Sequence, residues 1–385
     1  MARFTLPRDL YHGKGSLEAL KSFTGKKAMI CVGGGSMKRF GFLDRAVSYL
    51  KEAGMEVELF EGIEPDPSVE TVMRGADAML KFEPDWIIAM GGGSPIDAAK
   101  AMWIKYEYPD ITFEDMCKVF GIPPLRRKAH FCAISSTSGT ATEVTAFSII
   151  TDYQKGIKYP LADFNITPDV AIIDPALAET MPPKLVAHTG MDALTHAIEA
   201  ALSKNANPLT DKDAYWAMQA IVQNLPRAVA NGQDEAARTM MAYAENVAGM
   251  AFSNAGLGMV HAMAHALGGH YNLPHGVCNA VLLPYVLAFN SRSPVCLERF
   301  MTIAAAMGLQ GAFTPDTAAP AVIQFVRQLS AGVGIPANLA QLNKVDPADF
   351  AALAELALHD TCMSTNQITP TRDEVVAVYT AAFRG

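Results

Sequence analysis

The fold is decided by residues 86–100, which read WIIAMGGGSPIDAAK. A short apolar run that ends in turn residues predicts a buried strand, and the sequence after it predicts a helix. The glycines allow a ligand to approach the backbone closely. We expect Ser94 to be the helix N-cap, Pro95 its first residue and Asp97 its third, in a pattern that resembles a capping box.

This strand–turn–helix has two interpretations. The N-terminus of a helix carries free N–H groups and a positive dipole end, and both attract a pyrophosphate. The same residues also suit an ordinary strand-to-helix turn. Neither GxGxxG nor GxxxxGK[ST] occurs in the stretch, so its sequence alone leaves both interpretations open.

Similar segments flank this one along the first 180 residues. Strand-like runs occur at 28–32, 57–60 and 130–134, and helical patterns at 43–53 and 69–82. Short apolar runs that alternate with helices predict a mainly parallel α/β sheet, which binds ligands beyond the carboxyl ends of its strands. Residues 136–145 follow one run with small hydroxyl side chains. These either hold a phosphate or ribose, or cap the next helix.

The residue pattern changes after Met181-Pro182-Pro183: from there on, alanine, leucine and methionine recur at helical spacing. We therefore expect an α/β domain over residues 1–180 and an all-α domain over residues 181–385. A chain of 385 residues is long enough for two domains.

Composition excludes several classes of partner. The formal net charge of −8 argues against nucleic acid, which favours clustered basic residues. We expect no membrane span, because no run of about 20 apolar residues occurs. The N-terminus lacks the apolar core of a signal peptide. The six cysteines are scattered without a CxxC pair, which predicts reduced thiols and a cytoplasmic protein.

Histidines are concentrated near residue 265. Asp192 and His196 lie four residues apart, as do His261 and His265, and on a helix this spacing places both side chains on one face. One carboxylate and several imidazoles suit Fe²⁺ or Zn²⁺. The alternatives are a pair on a helix surface and a hydrogen-bonded group of core histidines.

The chain must turn for the last histidine to join this cluster. We expect Gly268-Gly269 and Pro274 to interrupt the helix and return His275 toward it. A metal site with room for one more ligand is suited to Lewis-acid catalysis.

Four separated segments carry a family resemblance: 91–100, 137–145, 190–196 and 261–276. In this order they resemble the iron-containing (group III) alcohol dehydrogenases over nearly the full chain. Residues 103–115 and 158–163 are especially similar to the alcohol dehydrogenase domain of bifunctional aldehyde-alcohol dehydrogenases. No aldehyde dehydrogenase domain precedes them in this sequence, so we expect a stand-alone enzyme. The resemblance implies the dehydroquinate synthase-like fold, with a nucleotide-binding α/β domain and a helical metal-binding domain.

The resemblance also implies roles for individual residues. The implied metal ligands are Asp192, His196, His261 and His275. His265 and Phe252 match residues that line the site near the substrate, whereas His270 matches no functional position. The candidate cofactor contacts are Gly34, Gly35, Ser36, Gly92, Gly93, Ser94, Asp97, Thr137, Ser138, Thr140, Thr145 and Lys158.

The run Gly33-Gly34-Gly35-Ser36 departs from NAD-using relatives, which often have an acidic residue after this strand. A carboxylate there accepts from the ribose 2′-hydroxyl and repels a 2′-phosphate. Here Lys38 and Arg39 follow the glycines instead. We hypothesise that NADP(H) is accepted or preferred. The alternative is a permissive loop that still uses NAD(H).

Taken together, these features imply a metal- and NAD(P)-dependent alcohol dehydrogenase or aldehyde reductase. It would interconvert short to medium aliphatic primary alcohols and their aldehydes by hydride transfer, and His265 would assist proton exchange. One alternative is a polyol oxidoreductase similar to glycerol dehydrogenase, and another is a non-enzymatic metal and nucleotide sensor. We expect small-molecule partners and a homodimer or higher homo-oligomer.

Overall fold

The computed structural model describes residues 3–385. The chain forms two compact units, which divide between Thr180 and Met181. They are called the N-terminal and C-terminal units below.

The N-terminal unit is built on a six-stranded parallel sheet with the strand order β1-β8-β5-β4-β2-β3. A separate antiparallel hairpin pairs β6 with β7. The strands are β1 (Asp9–His12), β2 (Lys27–Gly33), β3 (Glu56–Ile63), β4 (Trp86–Gly91), β5 (His130–Ser135), β6 (Phe147–Asp152), β7 (Ile157–Ala162) and β8 (Val170–Ile173). The predicted mainly parallel sheet is confirmed.

The continuous apolar runs are explained by burial on both faces of the sheet. On β4, Ile87 and Ala89 join one core cluster, while Ile88 and Met90 join the other. A strand that is covered on both sides needs no polar alternation. The helices of this unit are α1 (Ser36–Arg39), α2 (Phe42–Glu52), α3 (Val69–Phe82), α4 (Gly93–Glu107), α5 (Phe113–Met116) and α6 (Pro175–Ala178), with 3₁₀ segments at Ser16–Ser22 and Phe164–Ile166.

The predicted start of α4 is wrong. The N-cap is Gly92, which makes no side-chain cap, so Ser94 and Pro95 lie inside the first turn and there is no capping box. Gly91 has a φ of 147°, which reverses the chain early and lets the helix begin at Gly93. Proline is tolerated there because the first N–H groups of a helix have no intrahelical acceptor. Asp97 therefore lies two residues further along α4 than expected, at the fifth position instead of the third.

The loop after β5 leads to a strand instead of a helix. Residues 136–146 form turns and bends, and β6 follows at Phe147. The interpretation of these hydroxyl residues as caps of a following helix is therefore wrong.

The C-terminal unit, all of which lies within the described residues, contains helices and no strand. Its helices are α7 (Pro183–Leu202), α8 (Pro208–Ala230), α9 (Glu235–Ala255), α10 (Met259–Tyr271), α11 (His275–Asn290), α12 (Pro294–Ala306), α13 (Pro315–Gly332), α14 (Phe350–His359) and α15 (Arg372–Arg384), with 3₁₀ segments at Leu339–Leu342, Pro347–Asp349 and Thr361–Thr365. The predicted all-α region is confirmed.

Gly268-Gly269 does not interrupt α10, contrary to expectation. The helix continues to Tyr271 and ends at Asn272, which has a left-handed φ of 50°. The amide of Leu273 then donates to the carbonyl of Gly268 at 3.2 Å, which closes the helix end. The turn therefore occupies residues 272–274, and His275 becomes the first residue of α11.

Candidate metal centre and nucleotide cradle

Three predicted ligands converge in the C-terminal unit. Asp192 comes from α7, His261 from α10 and His275 from α11. Asp192 Oδ1 lies 3.7 Å from His261 Nε2 and 3.6 Å from His275 Nε2. One ligand atom from each residue lies within 4.8 Å of the other two. Ligand atoms about 2.1 Å from one tetrahedral ion lie roughly 3.4 Å apart, so this donor set fits a metal ion closely.

His196 joins the cluster through its ring. Its centroid lies 4.6 Å from that of His261, and the ring of Phe252 also stacks on His196, at a centroid distance of 4.2 Å. Both His196 and Phe252 are buried. Phe252 thus contacts a predicted ligand, which is consistent with its predicted place beside the site.

The carboxylates and imidazoles of this cluster shift one another's pKa values toward their charged forms. Burial alone would raise the pKa of Asp192, yet His275, His196 and His261 hold it well below its usual range. Burial would lower the pKa of His261, but the neighbouring carboxylates of Asp192 and Glu199 raise that pKa to about 9. A buried carboxylate that stays ionised among imidazoles provides the negative charge that a cation requires.

Asn279 is a member of the cluster that sequence reasoning missed. Its amide nitrogen lies 2.6 Å from Asp192 Oδ1, 3.1 Å from His261 Nε2 and 3.0 Å from His275 Nε2. The amide oxygen is buried and has no hydrogen-bond partner within residues 3–385. The spacing of four residues from His275 along one helix was the available signal.

Glu199 was also missed, although it lies seven residues after Asp192 on α7. Its Oε2 lies 2.6 Å from His261 Nδ1, and both side chains are buried. Its helical spacing from Asp192 and His196 was again the available signal.

The remaining histidines differ in their surroundings. His265 stacks on His275 at a centroid distance of 5.2 Å, and its Nδ1 lies 2.8 Å from Asp360 Oδ2. Asp360 is ninety-five positions away in the chain, so no local pattern could have indicated it. His270 is exposed and lies 3.3 Å from Asp349, in agreement with a structural residue outside the cluster.

In the N-terminal unit, glycines and threonines form a separate feature, which we call the nucleotide cradle (Gly92, Gly93, Thr137 and Thr140). A Cβ atom added to Gly92 or Gly93 would lie 3.0 Å from the methyl group of Thr137 or Thr140, respectively. The hydroxyls of both threonines are buried without a hydrogen-bond partner in the described part of the chain. Close backbone and free hydroxyls fit the phosphate groups of a nucleotide.

A buried charge pair lies behind the cradle. The Lys100 ammonium donates to the carbonyls of Thr142, Thr145 and Phe147 at 2.7, 2.7 and 2.9 Å. Asp97 accepts from the Thr142 hydroxyl at 2.6 Å. Burial raises the pKa of Asp97 to about 6 and lowers that of Lys100 to about 8. The attraction between the two charges opposes both shifts but is the weaker effect. Asp97 and Thr145 therefore lie in the network that holds this loop, and Ser138 is buried in the same loop.

Ser94 and Lys158 are linked through Asp66. The Asp66 amide donates to Ser94 Oγ at 3.2 Å, and the Lys158 ammonium lies 2.5 Å from Asp66 Oδ1. The Lys158 side chain is only 5% exposed. Ser94 and Lys158, which are both predicted cofactor contacts, therefore both form a hydrogen bond with Asp66.

The glycine run after β2 opens a short helix. Gly35 is the N-cap of α1, which begins at Ser36, and Gly34 has a φ of 59°. The Lys38 ammonium forms an exposed ion pair with Glu61 at 3.2 Å. This turn carries no acidic residue of its own.

Comparison with known proteins decides the family. Residues 7–175 match the iron-containing alcohol dehydrogenase domain, and residues 186–383 match the C-terminal domain of the Fe-containing alcohol dehydrogenase family. The chain belongs to the iron-containing alcohol dehydrogenase family. The predicted resemblance is confirmed.

Individual relatives of this family agree. The chain is 55% identical over 393 residues to an NADPH-dependent butanol dehydrogenase of Clostridium saccharobutylicum, covering 100% of this chain and 99% of that protein. It is 37% identical to the bifunctional aldehyde-alcohol dehydrogenase of Escherichia coli (strain K12), covering 99% of this chain but 46% of that protein. The crystal structure of a 1,3-propanediol oxidoreductase matches with a TM-score of 0.93, 38% identity and full coverage of both chains.

As a member of the iron-containing alcohol dehydrogenases, this chain is a metal-dependent, NAD(P)-dependent oxidoreductase that acts on alcohols and aldehydes. Its family uses Fe²⁺ and a nicotinamide cofactor, as the sequence predicted. Within residues 3–385, no helix combines the length and apolarity of a membrane span.

Proposed function

We propose that Asp192, His196, His261 and His275 hold the ion, Fe²⁺ or Zn²⁺. The observation that carries this proposal is the convergence of Asp192 Oδ1 with His261 Nε2 and His275 Nε2 at 3.6–3.7 Å. His196 is included because its ring stacks beside His261. The ion supplies a Lewis acid, and the nicotinamide gives or accepts the hydride.

The side chains around the ligands have separate tasks. The amide nitrogen of Asn279 donates to Asp192 Oδ1 and so fixes the carboxylate. Phe252 stacks on His196 and limits rotation of that ring. Burial of Asp192 and His261 excludes water, which strengthens their electrostatic interactions with a cation.

We propose that His265 passes a proton between substrate and solvent. Its ring lies against His275, and Asp360 holds its Nδ1 at 2.8 Å. Such a carboxylate fixes the orientation and tautomer of an imidazole.

The test of the ligand set is anaerobic purification followed by elemental analysis. Replacement of His261 or His275 by alanine should remove the metal and the aldehyde-reductase activity together. Full metal occupancy in both variants would refute the assignment.

We propose that NADP(H) is the preferred cofactor, bound at the nucleotide cradle with the turn at Gly34, Gly35 and Ser36. The missing carboxylate after β2 and the basic residues Lys38 and Arg39 support this preference. The 55% identical relative is named as NADPH-dependent. The test is kcat/KM for NADPH against NADH with one aldehyde, and a large preference for NADH would contradict the proposal.

The proposed substrates are short to medium aliphatic primary alcohols and their aldehydes, because a butanol dehydrogenase is 55% identical to this chain. A second candidate is a terminal diol, since a 1,3-propanediol oxidoreductase has the same fold at 38% identity. Comparing kcat/KM for butan-1-ol and propane-1,3-diol separates the two.

We also propose a cytoplasmic homodimer or higher homo-oligomer. Six free cysteines, five of them buried, support a reducing compartment. Light scattering at several protein concentrations tests the assembly.

A further inference from the structure

The carboxylate of Glu199 is fixed at both of its oxygens. Oε2 lies 2.6 Å from His261 Nδ1, and Oε1 accepts from the backbone amide of Val260 at 2.7 Å. A Cβ atom on Gly258 would lie 2.9 Å from Oε1, so the absence of a side chain there gives the carboxylate its space. From α7, Glu199 therefore holds two residues of the first turn of α10.

The two oxygens make different contacts. Oε1 satisfies an amide at the start of α10, where helix N–H groups have no intrahelical acceptor. Oε2 faces the imidazole nitrogen that points away from Asp192 and His275. An ionised carboxylate only accepts hydrogen bonds, so Nδ1 must carry the proton that it donates.

We propose that Glu199 is a positioning residue that holds His261 as its Nδ1–H tautomer. The lone pair of Nε2 then faces Asp192 Oδ1 and His275 Nε2, where the ligand assignment places the ion. This inference rests on that assignment. A histidine ligand is oriented and made more basic by the partner of its other nitrogen.

A role limited to capping α10 predicts something different. It requires only an acceptor for the Val260 amide, whereas tautomer control requires an acceptor at Nδ1. The substitution Glu199→Gln separates these roles because it keeps the shape of the side chain. Its amide oxygen can still accept from Val260, while its NH₂ group faces Nδ1 as a donor. The imidazole proton is then driven to Nε2, the nitrogen that must bind the metal.

The experiment measures Zn²⁺ affinity by competition with a chromophoric chelator, on the full chain and in the absence of cofactor. We expect Glu199→Gln to weaken Zn²⁺ binding about 10- to 100-fold, with little change in the melting temperature of the metal-free protein. The matched control is Asp349→Asn, which makes the corresponding carboxylate-to-amide change beside His270, a histidine outside the cluster. This control should bind Zn²⁺ as the wild type does.

A second measurement detects the tautomer in the wild type and needs no substitution of Glu199. The zinc-loaded wild type, labelled with ¹⁵N-histidine, should show a metal-bound Nε2 and a strongly hydrogen-bonded Nδ1–H for His261, assigned by its loss in His261→Ala. A metal-bound Nδ1, or no such proton, would overturn the inference.

The outcomes separate the two proposals. Wild-type Zn²⁺ affinity in Glu199→Gln, with or without a lower melting temperature, would overturn the positioning role. If His261→Ala also retains full metal occupancy, the ligand assignment itself is wrong. If only His261→Ala loses the metal, the ligand assignment stands and the role of Glu199 is limited to the helix start.

Discussion

The candidate metal centre is built mainly from side chains, whereas the nucleotide cradle is built mainly from backbone. The metal centre consists of carboxylate and imidazole side chains from three helices, and partners such as Glu199 and Asn279 hold them in place. The cradle consists of backbone at Gly92 and Gly93, with threonine hydroxyls beside it. A site for a cation depends on what side chains supply, whereas a site for a phosphate depends on where side chains are absent.

Removal of the metal should produce the largest effect and separate the two sites. Dialysis against a chelator is expected to lower turnover of butyraldehyde by at least about a thousandfold, roughly 4 kcal/mol in barrier, because the Lewis acid is lost. NADPH binding, followed by fluorescence, should change less than about threefold. Restoration of turnover by Fe²⁺ is the control, and equal loss of both properties would show that the sites are not independent.

Gly276→Ala should damage the metal centre through packing. A Cβ atom there would lie 2.3 Å from the backbone oxygen of His188, so α11 must move away from α7 and carry His275 with it. We expect a loss of stability of about 3 kcal/mol, the upper part of the range for overpacking, and weaker Zn²⁺ binding.

The matched control for that variant is Gly268→Ala on α10. Its Cβ would meet its nearest atom, the Leu273 carbonyl oxygen, at 3.4 Å. Because alanine favours a helix over glycine, this variant should be neutral or slightly more stable in denaturant unfolding. Equal destabilisation of the two variants would contradict the packing argument.

Gly93→Ala should damage the cradle and leave the metal centre intact. Its Cβ would lie 3.0 Å from the Thr140 methyl group and would fill the space in front of the hydroxyl. We expect KM for NADPH to rise about tenfold, equivalent to about 1.4 kcal/mol, with Zn²⁺ affinity unchanged.

The double variant Gly93→Ala/Thr140→Ser tests the cause of this effect. Serine keeps the hydroxyl and removes the methyl group that the new Cβ would meet. Most of the KM increase should then disappear. If the double variant binds NADPH no better than Gly93→Ala, the close contact is not the reason for the defect.

The smallest effect is expected at the edge of the histidine-rich segment. His270→Gln removes an exposed interaction with Asp349, and such surface pairs contribute about 0–1 kcal/mol. Metal content and kcat should remain within about twofold of wild type. A larger loss of metal would place His270 in the centre and contradict its assignment as a structural residue.

Sequence reasoning succeeded where the relevant pattern was local. The apolar runs of β2, β4 and β5 were visible because both faces of the sheet are buried, so no polar residue interrupts them. The four-residue spacing of Asp192 and His196 placed two candidate ligands on one face of α7. The helical spacing of apolar residues also predicted that no strand would follow residue 180.

Sequence reasoning failed where a single dihedral angle or a distant partner decided the outcome. The start of α4 depends on the φ of Gly91, which moved Ser94 out of the N-cap position. Gly268-Gly269 stays helical because α10 ends only at the left-handed Asn272. Asp360 reaches His265 across ninety-five positions of the chain, and no periodicity encodes such a contact.

The three carbonyls around the Lys100 ammonium have a further consequence for cofactor binding. They tie residues 142, 145 and 147 to α4, so the loop beside Thr137 and Thr140 is held from within by a buried cation. A segment that is already ordered has little conformational entropy left to lose when a ligand arrives. The entropic cost of ordering this proposed nucleotide surface is therefore met during folding, before any nucleotide is encountered.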